Sequence, residues 1–105
     1  MDLFQMHCRA FNLPVPEQEH RFDLSRRWRL DYAFVEQKLG VEIEGGVFTQ
    51  GRHTRGKGFL GDLEKYNTLT VMGWHLLRFT PAQVKGGLAV RTVTEFFRRR
   101  DGREG

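Results

Sequence analysis

Cysteine occurs once in these 105 residues, as Cys8, and proline three times. A single thiol excludes an internal disulfide framework and any cysteine-built zinc cage, and it suits a reducing, intracellular compartment. Cys8 lies in an apolar first segment, which favours a packed core thiol over a nucleophile. No apolar run approaches the ~18 residues of a membrane span, and the first residues lack a secretory signal pattern. A soluble, cytoplasmic protein without a membrane partner is expected. Acid is also the minority charge, with 13 Asp and Glu against 17 Lys and Arg, a net charge of +4 and a pI near 9.7. Thirteen of the basic residues are Arg and four are Lys. Arg bonds phosphate in a bidentate way through its planar fork, so this balance permits a nucleic-acid partner.

What is present is enough for one core and not for two. Hydrophobic residues make up 39% of the chain, including nine Phe and two Trp, which predicts a single domain over residues 1–105. Helical spacing of Leu3, Met6 and Ala10 predicts a short helix stopped by Asn12 and Pro14. Residues 18–23 read as a strand, and Leu30 to Val35 and Leu39 to Ile43 as a hairpin turning at Glu36-Gln37-Lys38. A helix is expected from Phe59 to Met72, ended by Gly73, and a strand from Trp74 to Thr80. Thr80 and Pro81 open a helical turn, and a last helix runs from Leu88 to Arg99, with Arg98 to Gly105 expected to fray. This order indicates an α/β sandwich with a small mixed sheet.

The chemistry concentrates in RLDYAFVEQKLGVEIEGG, Arg29 to Gly46. Antiparallel pairing across the turn puts Asp31 opposite Glu42 or Glu44, and side chains alternate faces, so all three acids share a patch in either register. Like charges so close repel one another unless something offsets them. A hard divalent cation does so, and oxygen ligands suit Mg²⁺ or Mn²⁺, which keep several waters for a phosphate-bearing substrate. Directly after the acids comes a glycine-rich basic loop, Val47 to Gly58, with Arg52, His53, Arg55 and Lys57. It is placed to hold a phosphate backbone against that metal.

Asp31, the Glu42-Ile43-Glu44 strand end, the Gly51-Arg52-His53 loop, Asp62-x2-Lys65-x3-Leu69-x3-Gly73-Trp74 and then Leu77-Arg78-Phe79 together resemble the PD-(D/E)XK nuclease superfamily. The likeness is closest to its compact bacterial and phage branch, related to very-short-patch-repair endonucleases, and covers roughly Glu19 to Val84. It implies a restriction-endonuclease-like core, a four-stranded mixed sheet flanked by helices. It also implies magnesium-dependent hydrolysis of DNA phosphodiesters, in repair, recombination or phage DNA processing. By position Asp31 and Glu42 would be the metal-binding acids, with the Ile43 carbonyl as a backbone ligand. Glu44 stands where the superfamily usually has Lys. Either Lys65 supplies that cation from the following helix, or Glu44 itself orients water or binds a second metal. His53 would donate to a phosphate or protonate the leaving oxygen, while Arg52, Arg55 and Lys57 hold flanking phosphates. An acid on the first helix contributes in many members; Asp2 is the one candidate at that helix here, with Glu17 and Glu19 just outside it, and the role is not assigned to any of them. Competing readings are a catalytically silent DNA-binding module, a structure-selective nuclease acting as a homodimer, and a small ribosome-like RNA-binding protein.

Overall fold

The computed structural model describes residues 1–45 and 57–104, with the side chains of 57–59, 103 and 104 outside that description. The elements run α1 (Leu3–Ala10), β1 (Glu17–His20), β2 (Leu30–Phe34), β3 (Leu39–Ile43), α2 (Lys57–Val71), β4 (His75–Phe79), α3 (Pro81–Lys85) and α4 (Leu88–Glu104). The sheet order is β1-β2-β3-β4, antiparallel for the first two pairs and parallel between β3 and β4. The parallel pair follows from connectivity, because α2 carries the chain back to the starting end of the sheet. The architecture is therefore mixed α/β around a four-stranded mixed sheet.

Local chemistry sets the ends of these elements. Asp2 caps α1 reciprocally with Gln5: Gln5 N–H donates to Asp2 Oδ1 at 3.0 Å, and Asp2 N–H donates to Gln5 Oε1 at 3.1 Å. Asn12 then takes a left-handed φ of 62° and Leu13 N–H bonds back to the Cys8 carbonyl. Gly73 repeats the device after α2, with φ 89° and Trp74 N–H donating to the Leu69 carbonyl at 2.9 Å. Thr80 and Gln83 form a second capping box at α3, with Pro81 in the first turn. α4 extends to Glu104, beyond the expected end at Arg99. Glu95 accepts from Arg98 and Arg99 along the helix, which neutralises part of the run of like charge there.

Two cores lie on opposite faces of the sheet. On one, Phe4 and Cys8 of α1, Val84 of α3 and Ala89, Val90 and Val93 of α4 pack on Phe34, Leu39, Val41 and Phe79. On the other, Leu69 of α2 packs with Phe22, Leu30 and Ala33, supported by Trp28, Tyr66, Trp74 and Leu76. Strict alternation would send Leu30 to the face of Tyr32 and Phe34, but it joins Leu69. Gly40 makes room, since a Cβ there would lie 2.9 Å from Leu30 Cδ1. Paired residues of β2 and β3 run from Phe34↔Leu39 to Tyr32↔Val41, so β2 turns away from a regular ladder at Asp31.

Candidate active site

Alternation along β3 sends Leu39 and Val41 into the core with α1 and α4, and Gly40 and Glu42 toward α2. Continuing the β2–β3 register sets Asp31 across from Glu42, the nearer of the two expected partners. Side chains take over the pairing there. Ile43 N–H donates to Asp31 Oδ2 at 2.7 Å, and Asp31 N–H donates to Glu42 Oε2 at 3.2 Å. Each acid thus bonds the backbone of the opposite strand.

Glu42 is only 7% exposed, and an isolated carboxylate so deeply placed would be strongly disfavoured. α2 supplies the compensation. Lys65 Nζ lies 3.1 Å from Glu42 Oε1, and the Tyr66 hydroxyl donates to the same oxygen at 2.9 Å. Burial, with the Glu42 charge beside it, pushes the Tyr66 phenol well above its ordinary pKa, so it stays a donor. Lys65 is expected from the sequence either at the site or paired with Asp62 on its own helix, and the structure gives it the Glu42 partner.

Glu44 goes to a different partner. Arg78, on β4, donates from Nε to Glu44 Oε2 at 2.9 Å and lies 4.7 Å over the Tyr66 ring. The parallel register that pairs Glu42 with Arg78 puts this guanidinium on the acid face. The hydrogen bond from Arg78 to Glu44, offset by partial burial, raises the Arg78 pKa further. The expected three-acid metal cluster does not form: among the described residues no group of three His, Cys, Asp or Glu is gathered to hold a metal. Glu44 is drawn to Arg78, which leaves Asp31 and Glu42 as an adjoining pair.

Asp2 is also placed elsewhere. It caps α1 and accepts from Gln18 Nε2 at 2.8 Å and from the Tyr32 hydroxyl, on the face of the sheet covered by α1. An N-cap acid so fully engaged is not a partner for Asp31 and Glu42. Arg52, His53 and Arg55 lie outside the described residues, and Lys57 opens α2 with its side chain outside them too. Of the other histidines, His20 packs on Trp74 and His75 on Phe96.

Sequence reasoning passed over Tyr66 and Arg78 as site residues. Arg78 was legible in principle, because a parallel β3–β4 pair fixes which β4 residues face Glu42 and Glu44. Tyr66 follows Lys65 on α2, but a phenol reaching a carboxylate leaves no spacing signature. Comparison with known proteins adds no relative: no family model, curated protein or solved structure matches this chain.

The assembled arrangement is a carboxylate pair, Glu42 buried and Asp31 half-buried, with one ammonium and one phenol, bordered by an Arg–Glu pair. It can hold a hard cation by oxygen, fix a phosphate by Lys65 and Arg78, and orient water between them. Among the described residues no helix is long and apolar enough to cross a membrane.

Proposed function

We propose that the chain is a metal-dependent DNA endonuclease with a restriction-endonuclease-like core, hydrolysing phosphodiester bonds at the Asp31–Glu42 pair. The observation that carries this reading is Lys65 Nζ at 3.1 Å from Glu42, whose other carboxylate oxygen meets Asp31. A lysine beside an acid pair is the element that Glu44 leaves out of the strand motif, and Lys65 of α2 meets one acid of the pair, Glu42, from outside that strand. Two carboxylates and a backbone carbonyl are hard oxygen donors of the number magnesium or manganese accepts from protein. Asp31, Glu42 and the Ile43 carbonyl would hold that ion. When bound, it would supply positive charge at the scissile phosphate and acidify water.

The residues divide the remaining work. Lys65 faces developing negative charge on the phosphate and orients the attacking water, and the buried setting strengthens its field. Tyr66 holds Glu42 in position by its hydroxyl. Arg78, fixed by Glu44 and the Tyr66 ring, stands ready to bond a non-bridging phosphate oxygen. Arg52, His53, Arg55 and Lys57 hold neighbouring phosphates in this reading, so affinity falls steeply with salt and carries no sequence preference.

The test is cleavage of linear duplex, nicked, single-stranded and four-way-junction DNA in Mg²⁺, Mn²⁺ or EDTA, beside Asp31→Ala and Lys65→Ala. Metal-dependent cutting abolished by Asp31→Ala is the expected result, with Lys65→Ala slower by roughly a hundredfold or more, the scale of removing one charge-stabilising donor. A second reading has an observation of its own. Both Glu42 oxygens and Asp31 Oδ2 already have protein donors, as in a charge cluster that only braces the fold. Salt-sensitive DNA binding with no cutting of any substrate would establish that silent DNA-binding module instead.

A further inference from the structure

The Tyr66 hydroxyl meets Glu42 at an oxygen that Lys65 already holds. A buried carboxylate needs a cation, and Lys65 supplies it at 3.1 Å from Oε1. The phenol adds no charge, and it has left water to reach the same oxygen at 2.9 Å. Its effect is on geometry. A carboxylate oxygen offers about two lone-pair sites, so two donors leave Oε1 without one for a further ligand.

The remaining oxygens are less fully engaged. Among the described residues, Glu42 Oε2 accepts from the Asp31 N–H alone, at 3.2 Å, and so keeps a site open. Asp31 Oδ2 is held by the Ile43 N–H at 2.7 Å, and no described residue donates to Asp31 Oδ1. The phenol is also held in place. Its ring lies 4.7 Å beneath the Arg78 guanidinium and packs against the Leu69 core, which gives the hydroxyl little freedom to turn from Oε1.

This division discriminates between cations. Mg²⁺ takes about six oxygens in a strict octahedron, usually one or two from carboxylates and the rest from water and substrate. Ca²⁺ takes about six to eight, and it often draws both oxygens of one carboxylate. A glutamate with a single oxygen to give meets the first requirement and not the second. We infer that Tyr66 is the cation-selecting residue of the acid pair: its hydroxyl, with Lys65, restricts Glu42 to one open oxygen, Oε2, and so favours Mg²⁺ and Mn²⁺ over Ca²⁺. The inference rests on the nuclease reading for the presence of an ion and takes nothing from DNA. Tyr66 touches neither ion nor substrate and acts through Glu42. Residues that orient a ligating carboxylate in this way commonly change metal affinity by about 10–100-fold when replaced.

The experiment uses the full chain without DNA, with bound Mn²⁺ followed by electron paramagnetic resonance and Mg²⁺ or Ca²⁺ added as competitor. The wild type should bind Mn²⁺ at a site that Asp31→Ala removes, and Mg²⁺ should displace it at lower concentration than Ca²⁺. Tyr66→Phe keeps the ring beneath Arg78 and deletes only the hydroxyl. It should lower the ratio of Ca²⁺ to Mg²⁺ concentrations needed for displacement by roughly tenfold. Tyr66→Met, a flexible filler that also lacks a donor, should do the same. A change that merely loosens the site weakens all three ions together and leaves the ratio alone. Tyr32→Phe, which removes the phenol that bonds Asp2 on the other face of the sheet, should leave it alone too. An unchanged ratio in either Tyr66 variant with a native circular-dichroism spectrum overturns the inference and leaves the nuclease reading standing. So does a wild type from which Ca²⁺ displaces Mn²⁺ as readily as Mg²⁺ does, a comparison that needs no variant. Absence of any Mn²⁺ binding that depends on Asp31 overturns the inference and removes the ion from the acid pair as well.

Discussion

The two faces of the sheet solve different problems with the same strands. The face under α1, α3 and α4 is closed and apolar, and its polar side chains meet uncharged partners, as Asp2 does the Tyr32 hydroxyl and Gln5 the Pro16 carbonyl. The face under α2 has a smaller apolar core and buries charge beside it, with Glu42 bonded across elements to Lys65, Tyr66 and the Asp31 backbone. Charge placed inside a fold contributes little net stability and exacts a large penalty when half of it is removed. The first face therefore rests on apolar burial, and the second combines apolar burial with the charged groups proposed to act on a substrate. Substitutions on the two faces should separate accordingly.

The largest separation is expected at Lys65. Lys65→Ala leaves the Glu42 carboxylate, side chain 9% exposed, without its cation and should destabilise the fold by about 3–5 kcal/mol. That is a large share of the stability of a domain this size. Urea unfolding measures the loss directly. Repeating it with Mg²⁺ or Mn²⁺ sharpens the comparison: a cation held by Asp31 and Glu42 should recover part of the deficit by mass action. Equal deficits with and without the metal would count against an ion at the acid pair, whatever the DNA does.

Leucine truncation on each face comes next. Leu39→Ala and Leu69→Ala both empty fully buried sites and should each cost about 2–5 kcal/mol. Their effects on DNA cleavage should differ. Leu39 packs against α1 and α4, so the folded variant should keep its turnover. Leu69 sits one helical turn from Lys65 and Tyr66, and loosening it should displace both groups and slow cleavage by roughly tenfold beyond the folded fraction, as small misplacements of catalytic groups do. Matching turnover in the two variants would mean that α2 is not needed to aim the site.

Much of this separation is legible in the amino-acid sequence alone. Hydrophobic alternation and turn residues place β2, β3, β4 and α2 to within about two residues, and the Thr80–Pro81 and Gly73 signals mark real helix ends. The strand period puts Asp31 on one face with Glu42 and Glu44, and the register that selects Glu42 comes from the structure. What is not legible depends on contacts between elements far apart in sequence. Nothing local shows that Glu44 prefers Arg78, or that Tyr66 turns its hydroxyl to Glu42. Leu30 crossing to the α2 face depends on the absent side chain of Gly40, a shape effect that no hydropathy pattern encodes.

That shape effect predicts a smaller loss. Gly40→Ala would put a methyl 2.9 Å from Leu30 Cδ1, a flexible tip that can move only by disturbing its packing with Phe22 and Leu69. The expected cost is about 1–3 kcal/mol, the range for overpacking. Gly40→Ala combined with Leu30→Val should recover much of it, because the second change withdraws the clashing atom. No recovery in the double variant would place the strain in the strand itself rather than in this contact.

The effect smallest at neutral pH belongs to the closed face and appears only as pH rises. Cys8 is fully buried among Phe4 and the α3–α4 core, and desolvation, reinforced by the nearby Asp2 carboxylate, pushes its thiol up to about 12 from 9.0. In the unfolded chain the thiol ionises at its ordinary value, so the stability linked to Cys8 is full below about pH 9 and is lost as pH rises toward about 12. Cys8→Ala removes this linkage. The difference in urea midpoint between wild type and Cys8→Ala should be flat at neutral pH and should shrink as pH climbs through that window, with tyrosines and lysines cancelling because both proteins carry them. Native wild type should also react with a thiol reagent only as fast as it unfolds. Rapid labelling of the folded protein would show that the closed face opens on its own, and the contrast between the two faces would then lose its structural basis.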